Sequence, residues 1–161
     1  MAEAARLLGQ GRAERAKTIA TKILCATDGS RPSEKAVAYA VDLAKKTGAH
    51  LTFLTVSTVS AARASKTHFW DDRLVGAGEA QLHRELGMAA KAAGKAGLKD
   101  VACVTAAGRD IAKAIVDYAE KNEFKHIVTG SRGHTGAARV LLGSVAADVV
   151  AKAHCPVTIV R

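Results

Sequence analysis

Aromatic side chains are scarce in this sequence: they make up 4% of its 161 residues, with a single tryptophan at Trp70. Single-stranded nucleic acids bind proteins largely by stacking their bases on such rings, and no helix-turn-helix or RNA-binding signature is present. The formal net charge is +9, but the basic residues are spread along helical segments rather than gathered in one block. This pattern favours a solvated basic surface, and we expect no nucleic-acid partner.

Long hydrophobic runs are also missing, since no stretch approaches the roughly 20 apolar residues that a bilayer-spanning helix needs. The opening residues, MAEAARLLGQGRAERAK, lack the apolar core of a secretory signal. We therefore expect a cytoplasmic protein without stable membrane insertion. With 48% apolar residues, the chain can form one domain with a sizeable core. We expect that domain over residues 22–161, preceded by a flexible extension over residues 1–21.

Cysteine is rare, and its three positions form no C-x-x-C pair and no even disulfide framework. Cys25 and Cys103 fall inside apolar, strand-like runs, and Cys155 precedes a proline. We predict that all three are small buried hydrophobic side chains in a reducing compartment. The six histidines show no H-x-x-x-H spacing. We therefore expect no metal that is held by protein side chains alone.

From Lys22 onward, short apolar runs alternate with longer segments of helical periodicity. Strands are predicted at residues 22–27, 50–57, 100–107, 125–130 and 157–161, and helices from about 32 to 48, from about 79 to 97, at 109–122 and at 144–154. Residues 58–78 have weak periodicity and are interpreted as a long connection, in which Phe69 and Trp70 either cover a ligand or anchor the loop. Such alternation predicts an α/β fold with a parallel sheet covered by helices on both faces.

Two segments lie where an open parallel sheet binds ligands, beyond the carboxyl ends of its strands. One is ATDGS after the first strand, and the other begins the stretch GSRGHTGAARVLLGS at residues 130–144. Gly143-Ser144 precedes the last helix, whose N-terminus offers free backbone N–H groups to an anion. Ser144 either caps that helix or gives its hydroxyl to a phosphate. Neither the P-loop nor the dinucleotide glycine pattern is present, so a phosphate cradle and plain turn glycines both remain open.

The glycine stretch carries a resemblance to a known family. Gly130-x-x-Gly133, nine residues, and then Gly143-Ser144 resembles the ATP-binding signature G-x2-G-x9-G-[ST] of the universal stress protein family. ILCATDGS resembles that family's first strand and turn, LTFLTVS its second strand and HCPVTIVR its closing strand. The resemblance runs in order over residues 22–161. It implies a Rossmann-like, five-stranded open parallel sheet with a nucleotide across its carboxyl edge.

The resemblance also implies a set of site residues. Asp28, with Ala26 and Thr27 before it, would face the nucleoside, and Val56 would lie against the adenine. The ribose side and the phosphates would be lined by Thr129, Gly130, Gly133, Gly143, Ser144 and Val145. Arg132 is added from its charge, as a phosphate clamp. Mg²⁺ would be held through the phosphates, and the last strand would pair with its copy in a homodimer.

These observations predict an ATP-binding regulatory module of the stress response, with little or slow hydrolysis because no residue stands out to position water at the γ-phosphate. Three alternatives remain: binding of AMP or cyclic AMP, a weak ATPase, and an adaptor that uses the basic leader with Leu7 and Leu8. Asp28 can instead cap the following helix. His134 is interpreted as a loop histidine in solvent.

Overall fold

The structure is a computed structural model of the chain and describes residues 21–58, 77–134 and 142–161. The predicted extension, apart from its last residue, lies outside the described residues. So do residues 59–76 of the connection predicted over residues 58–78, with Phe69 and Trp70, whereas its last two residues, Ala77 and Gly78, belong to a helix. In the described part, no helix is long and apolar enough to cross a bilayer.

Strands and helices alternate along the described chain. Their bounds are β1 (Lys22–Ala26), α1 (Arg31–Thr47), β2 (His50–Ser57), α2 (Ala77–Lys95), β3 (Val101–Ala107), α3 (Ile111–Lys121), β4 (His126–Gly130), α4 (Ser144–Lys152) and β5 (Val157–Val160). Predicted and observed ends differ by up to two residues, for local reasons. Helix α3 starts two residues later than predicted because the Asp110 side chain accepts the Lys113 N–H at 2.9 Å and caps the helix. Helix α4 ends early because Ala153 is extended.

The strands form one five-stranded sheet in the order β3-β2-β1-β4-β5, and every neighbouring pair is parallel. The chain moves outward through β2 and β3, then returns to the other side of β1 to add β4 and β5. The order therefore reverses between β1 and β4. At that point Ala26 is in register with Leu54 on β2 and with Thr129 on β4. This topology confirms the predicted α/β fold. Open parallel sheets commonly bind ligands where the strand order reverses, which here is above the end of β1.

Two hydrophobic layers cover the sheet, because successive strand side chains point to opposite faces. Ile23 and Phe53 pack with α1 and α2 on one face. Leu24 and Leu54 pack with α3 and α4 on the other. The inner face of α1 consists of small buried residues that let this helix lie close to the sheet: Ala36, Val37, Ala40, Val41 and Ala44.

The prediction for the cysteines is wrong in part. Cys25 in the central strand is fully buried, but Cys103 is exposed and Cys155 is half-buried. Cys103 lies on β3, an edge strand whose side chains are all exposed or half-buried. An apolar strand sequence therefore does not bury its side chains when the strand lies at the margin of the sheet.

Candidate functional site

A cavity of about 640 Å³ opens at the carboxyl ends of β1, β2 and β4. Every residue that the sequence predicted for the site lines it: Ala26, Thr27, Asp28, Val56, Thr129, Gly130, Arg132, Gly133, Gly143, Ser144 and Val145. These residues come from four separate parts of the chain, and the parallel sheet brings them to one edge. The predicted site residues therefore share one concave surface. Ligand binding at this surface stays a prediction.

Asp28 organises the turn after β1. Its Oδ1 accepts hydrogen bonds from the N–H of Ser30 at 3.0 Å and from the Ser30 hydroxyl at 2.6 Å. The cap of α1 is Ser30, whose side chain accepts the Ser33 N–H at 3.4 Å. The alternative role of Asp28 as a helix cap is therefore wrong, because Asp28 lies two residues too early and holds the capping residue in place instead.

The other carboxylate oxygen of Asp28 reaches the loop after β4. Oδ2 accepts the backbone N–H of His134 at 3.2 Å, and the His134 ring nitrogen Nε2 hydrogen-bonds to the Asp28 carbonyl oxygen. His134 is exposed in its loop, as its interpretation as a loop histidine in solvent predicted, and it is also bonded to Asp28. A Cβ on Gly133 would lie 2.5 Å from Oδ2. Glycine at 133 therefore leaves room for the carboxylate to approach the loop.

The Asp28 carboxyl is an anion at neutral pH. Burial by itself raises its pKa, but the hydrogen bonds from Ser30, a further one from the Ser33 hydroxyl and the nearby His134 lower the pKa more, to a net value below the ordinary 3.8. The carboxylate can therefore only accept hydrogen bonds from a ligand. It suits a hydroxyl and repels a phosphate.

The N-terminus of α4 forms the opposite wall. Gly143 is the N-cap and makes no side-chain cap bond, and Ser144 is the first helical residue, so a capping role for Ser144 is wrong. Its exposed hydroxyl lines the cavity. Among the described residues, no partner is found for the N–H groups of Ser144, Val145 and Ala146, while the Ala147 N–H bonds to Gly143 O at 3.0 Å. N–H groups at the start of a helix are suited to binding an anion.

The glycines of the motif let neighbouring atoms lie close to the backbone. None of Gly130, Gly133 and Gly143 has a positive φ. A Cβ on Gly130 would lie 3.1 Å from the Pro32 carbonyl group, and one on Gly143 would lie 3.3 Å from Ser131 O. Close approach of neighbouring backbone or side-chain atoms therefore explains these three glycines better than a left-handed turn does. Gly136 lies outside the described residues.

The cavity is also lined by residues that the sequence did not predict. Leu54, Ile111 and Ile115 add apolar surface beside Val56. Glu85 on α2 is only 6% exposed and accepts the Thr55 hydroxyl at 2.9 Å. One signal was available for Glu85, since it lies on the same helical face as Leu82, Leu86 and Ala89. A charged side chain on an otherwise apolar stripe needs a partner.

Comparison with known proteins identifies the family of the chain. The model of the universal stress protein family matches residues 20–161. Universal stress protein MJ0531 of Methanocaldococcus jannaschii is 34% identical over 144 residues, which cover 87% of this chain and 81% of that protein. Universal stress protein YxiE of Bacillus subtilis is 35% identical over 150 residues, 87% of this chain and 98% of that protein.

A solved structure of a universal stress protein in complex with cAMP superimposes on this chain with a TM-score of 0.70 and 28% identity. The superposition covers 89% of this chain and 98% of the other. Sequence and fold therefore agree over nearly the same residues, and the chain belongs to the universal stress protein family.

Proposed function

We propose that this protein binds ATP in the cavity at the carboxyl edge of the sheet, with Mg²⁺ held through the phosphates, as a regulatory module with little or slow hydrolysis. The observation that carries the proposal is the N-terminus of α4. Its first N–H groups, for which no partner is found in the part of the chain that the structure describes, follow a glycine cap and face the same cavity as Asp28 and the end of β2.

The charges of the site favour one orientation of the nucleotide. The start of α4 carries a partial positive charge, and Arg132 lines the cavity on the same side. Asp28 is negative and sits above β1. Phosphates therefore bind at Gly143, Ser144 and Val145, and the ribose hydroxyls donate hydrogen bonds to Asp28. Mg²⁺ would supply charge neutralisation to the phosphate chain while keeping waters in its own shell.

The dimensions of the cavity are compatible with this orientation. Neighbouring strands are about 4.8 Å apart, so β2 and β4 lie about 10 Å apart across β1. The adenine then reaches Val56 at the end of β2, next to the apolar side chains of Leu54, Ile111 and Ile115. A volume of about 640 Å³ lies within the range of pockets that enclose small organic ligands.

The proposal of little or slow hydrolysis depends on which groups of the cavity could act on a reacting phosphate. Efficient hydrolysis needs a group that orients water in line with the leaving oxygen. The Asp28 carboxylate of this cavity is engaged by Ser30 and His134. Binding that orders the loops after β1 and β4, without rapid turnover, is the behaviour that this geometry supports. We extend the proposal to a homodimer that pairs through β5, the strand at one edge of the sheet.

Binding of cyclic AMP is a second candidate. It is favoured by the likeness to the universal stress protein solved in complex with cAMP. One cyclic phosphate needs fewer donors than a chain of three, so the α4 terminus favours ATP.

Isothermal titration of the parent with ATP, ADP, AMP and cAMP in Mg²⁺ buffer separates these ligands. We expect ATP to bind with a dissociation constant near 1 μM, about −8 kcal/mol. Ser144→Asp places a carboxylate at the proposed phosphate position, where it also suits the helix N-terminus and so preserves folding. We expect ATP affinity to fall by at least about tenfold in this variant because of charge repulsion.

Ser144→Asn is the matched control, since asparagine has the size of aspartate without its charge. ATP binding that is equal in the Asp and Asn variants, or that is missing from the folded parent, contradicts the ATP proposal. A parent that binds cAMP at least about tenfold more tightly than ATP supports the second candidate instead.

A further inference from the structure

Glu85 is a buried acidic residue that the proposed function does not yet use. It is 6% exposed and lines the cavity. Acidic side chains are almost never this buried unless they are paired. Its Oε2 accepts the Thr55 hydroxyl at 2.9 Å, and its Oε1 accepts the Gln81 amide at 3.0 Å. These two bonds join α2 to β2 and hold the Glu85 side chain in place at both of its oxygens.

The stem of Glu85 lies against the turn after β1. A Cβ on Gly29 would lie 2.7 Å from Glu85 Cγ, 3.5 Å from the Glu85 carboxyl carbon and 3.5 Å from the Met88 methyl carbon. Glu85 and Met88 are three residues apart and therefore share one face of α2. Gly29 also has φ +72°, a conformation that few other residues adopt. The turn thus passes so close to α2 that it leaves no room for a side chain at position 29.

Asp28 is the neighbour of Gly29 in this turn and is held from the opposite side. Its Oδ2 accepts the His134 N–H of the loop after β4 at 3.2 Å. Glu85 is instead bonded to β2, and β2 and β4 flank β1 on its two sides. The turn is therefore held on the β4 side through the Asp28 carboxylate and is contacted on the β2 side by the stem of Glu85.

The position of the turn decides where a ligand meets Asp28. Hydrogen bonds form over a narrow range of distances, and a binding group must be held within about 0.5 Å of its productive position by the side chains around it. Glycine is the residue with the greatest backbone freedom. Without the stem of Glu85 beside it, Gly29 has space to move toward α2 and to take Asp28 with it.

We propose that Glu85 is a positioning residue, whose anchored stem packs against Gly29 and so sets the place at which Asp28 meets the hydroxyl groups of a bound ribose. This inference rests on the proposed function, because it needs a nucleotide whose ribose lies at Asp28. Glu85 acts in it through the turn and makes no contact with the ligand. The expected result of losing Glu85 is therefore a loss of ribose recognition, with binding of the base and phosphates retained.

The test compares ATP with 2′,3′-dideoxyATP, which has the same base and phosphates but lacks both ribose hydroxyls. We expect the parent to bind ATP at least about tenfold more tightly, because the dideoxy nucleotide leaves Asp28 without a hydroxyl partner. Glu85→Ala removes the stem and both of its bonds. We expect this ratio to fall to about threefold or less through weaker ATP binding, with affinity for the dideoxy nucleotide changed by less than about twofold. Isothermal titration of each variant, with its fold checked by circular dichroism, measures both affinities.

Glu85→Gln is the conservative variant. It keeps the stem over Gly29 and an oxygen that accepts the Thr55 hydroxyl, so we expect the parental ratio. Glu120→Ala is the control, because it removes the same charge from an exposed position on α3, and it should also keep that ratio. Thr55→Val removes one anchor but leaves the stem, and it should give a ratio between those of the parent and Glu85→Ala. This variant carries the comparison if Glu85→Ala does not fold.

Three results overturn the inference and leave ATP binding itself intact. The first is a parent that binds ATP and the dideoxy nucleotide equally. The second is a Glu85→Ala variant that keeps the parental ratio or that weakens both nucleotides alike, as a general loss of stability would. The third is a Glu85→Gln ratio as low as that of Glu85→Ala, since the carboxylate rather than the stem would then be needed. A parent that binds neither nucleotide overturns both this inference and the ATP proposal.

Discussion

Asp28 joins two loops of the candidate site through separate oxygens. Oδ1 holds the turn at Ser30, and Oδ2 holds the backbone of His134, 106 residues away in the chain. Because both bonds are made to the ionised form, protonation weakens them together. The carboxylate therefore has a structural role, in addition to its proposed contact with the ribose.

Asp28→Asn tests this role through the pH dependence of stability. The pKa of Asp28 in the folded protein is lowered below 3.8. The stability that its carboxylate contributes is therefore fully present above the pKa of the unfolded chain, and it is lost as pH falls through the pKa of the folded protein. Asparagine keeps an acceptor for Ser30 but does not titrate. We expect the difference in urea midpoint between parent and variant to be constant above about pH 5 and to shrink below about pH 4.

Chemical denaturation at half-unit steps from pH 2.5 to 7, followed by circular dichroism, measures this difference. A difference that stays constant, or that grows toward low pH, would show that the ionised form of Asp28 adds no stability to the folded protein.

At the scale of elements, α1 shows how local residues set the bounds of a helix. Ser30 caps its start, and Gly48 ends it in the left-handed conformation, with φ +69° and its N–H bonded to Ala44 O at 2.8 Å. Nothing lies within 4 Å of a Cβ placed on Gly48. A substitution there is therefore opposed by backbone conformation alone. Gly87 in the middle of α2 has equally open surroundings but a helical backbone.

Gly48→Ala and Gly87→Ala are a matched pair with opposite expected effects. Alanine at Gly48 should lower the free energy of unfolding by about 1 kcal/mol, because an L residue is strained at positive φ. Alanine at Gly87 should raise it by about 0.5–1 kcal/mol, because glycine is unfavourable inside a helix. Urea denaturation of both variants measures the two changes. Equal signs for the two variants would contradict the assignment of Gly48 as a left-handed cap.

At the scale of the whole molecule, β5 leaves one edge of the described sheet open. The carbonyls of Pro156, just before β5, and of Val160 accept the N–H groups of Ile127 and Ser131, at 3.0 and 2.7 Å. The backbone groups of successive strand residues point to opposite sides. Because those of Pro156 and Val160 face β4, the N–H of Ile159 faces the open edge. An apolar edge strand of this kind is a template for pairing with a second chain.

The proposed homodimer is tested by changing Ile159. Ile159→Pro removes an edge donor without removing a bond to β4, and proline is tolerated on edge strands. We expect light scattering after gel filtration to give a dimer for the parent and a monomer for this variant, with Ile159→Val remaining dimeric. A monomeric parent, or a dimer that persists in the proline variant, argues against pairing through β5.

Patterns along the sequence predicted much of this protein. Apolar runs and helical periodicity predicted the strands and helices to within a few residues, because these patterns are local. The glycine spacing predicted the start of α4. The predicted ends of β1 and β2 placed Asp28 and Val56 at one edge, because parallel strands all end on the same side of a sheet.

Tertiary structure decided how the parts meet. That Gly133 accommodates the Asp28 carboxylate depends on the packing of two loops distant in sequence. Glu85 and Thr55 are 30 residues apart and belong to different elements, so no local pattern pairs them. Cys103 is exposed because β3 is an edge strand. Strand order, which is a property of the folded sheet rather than of any segment, decides which residues share the cavity and which face solvent.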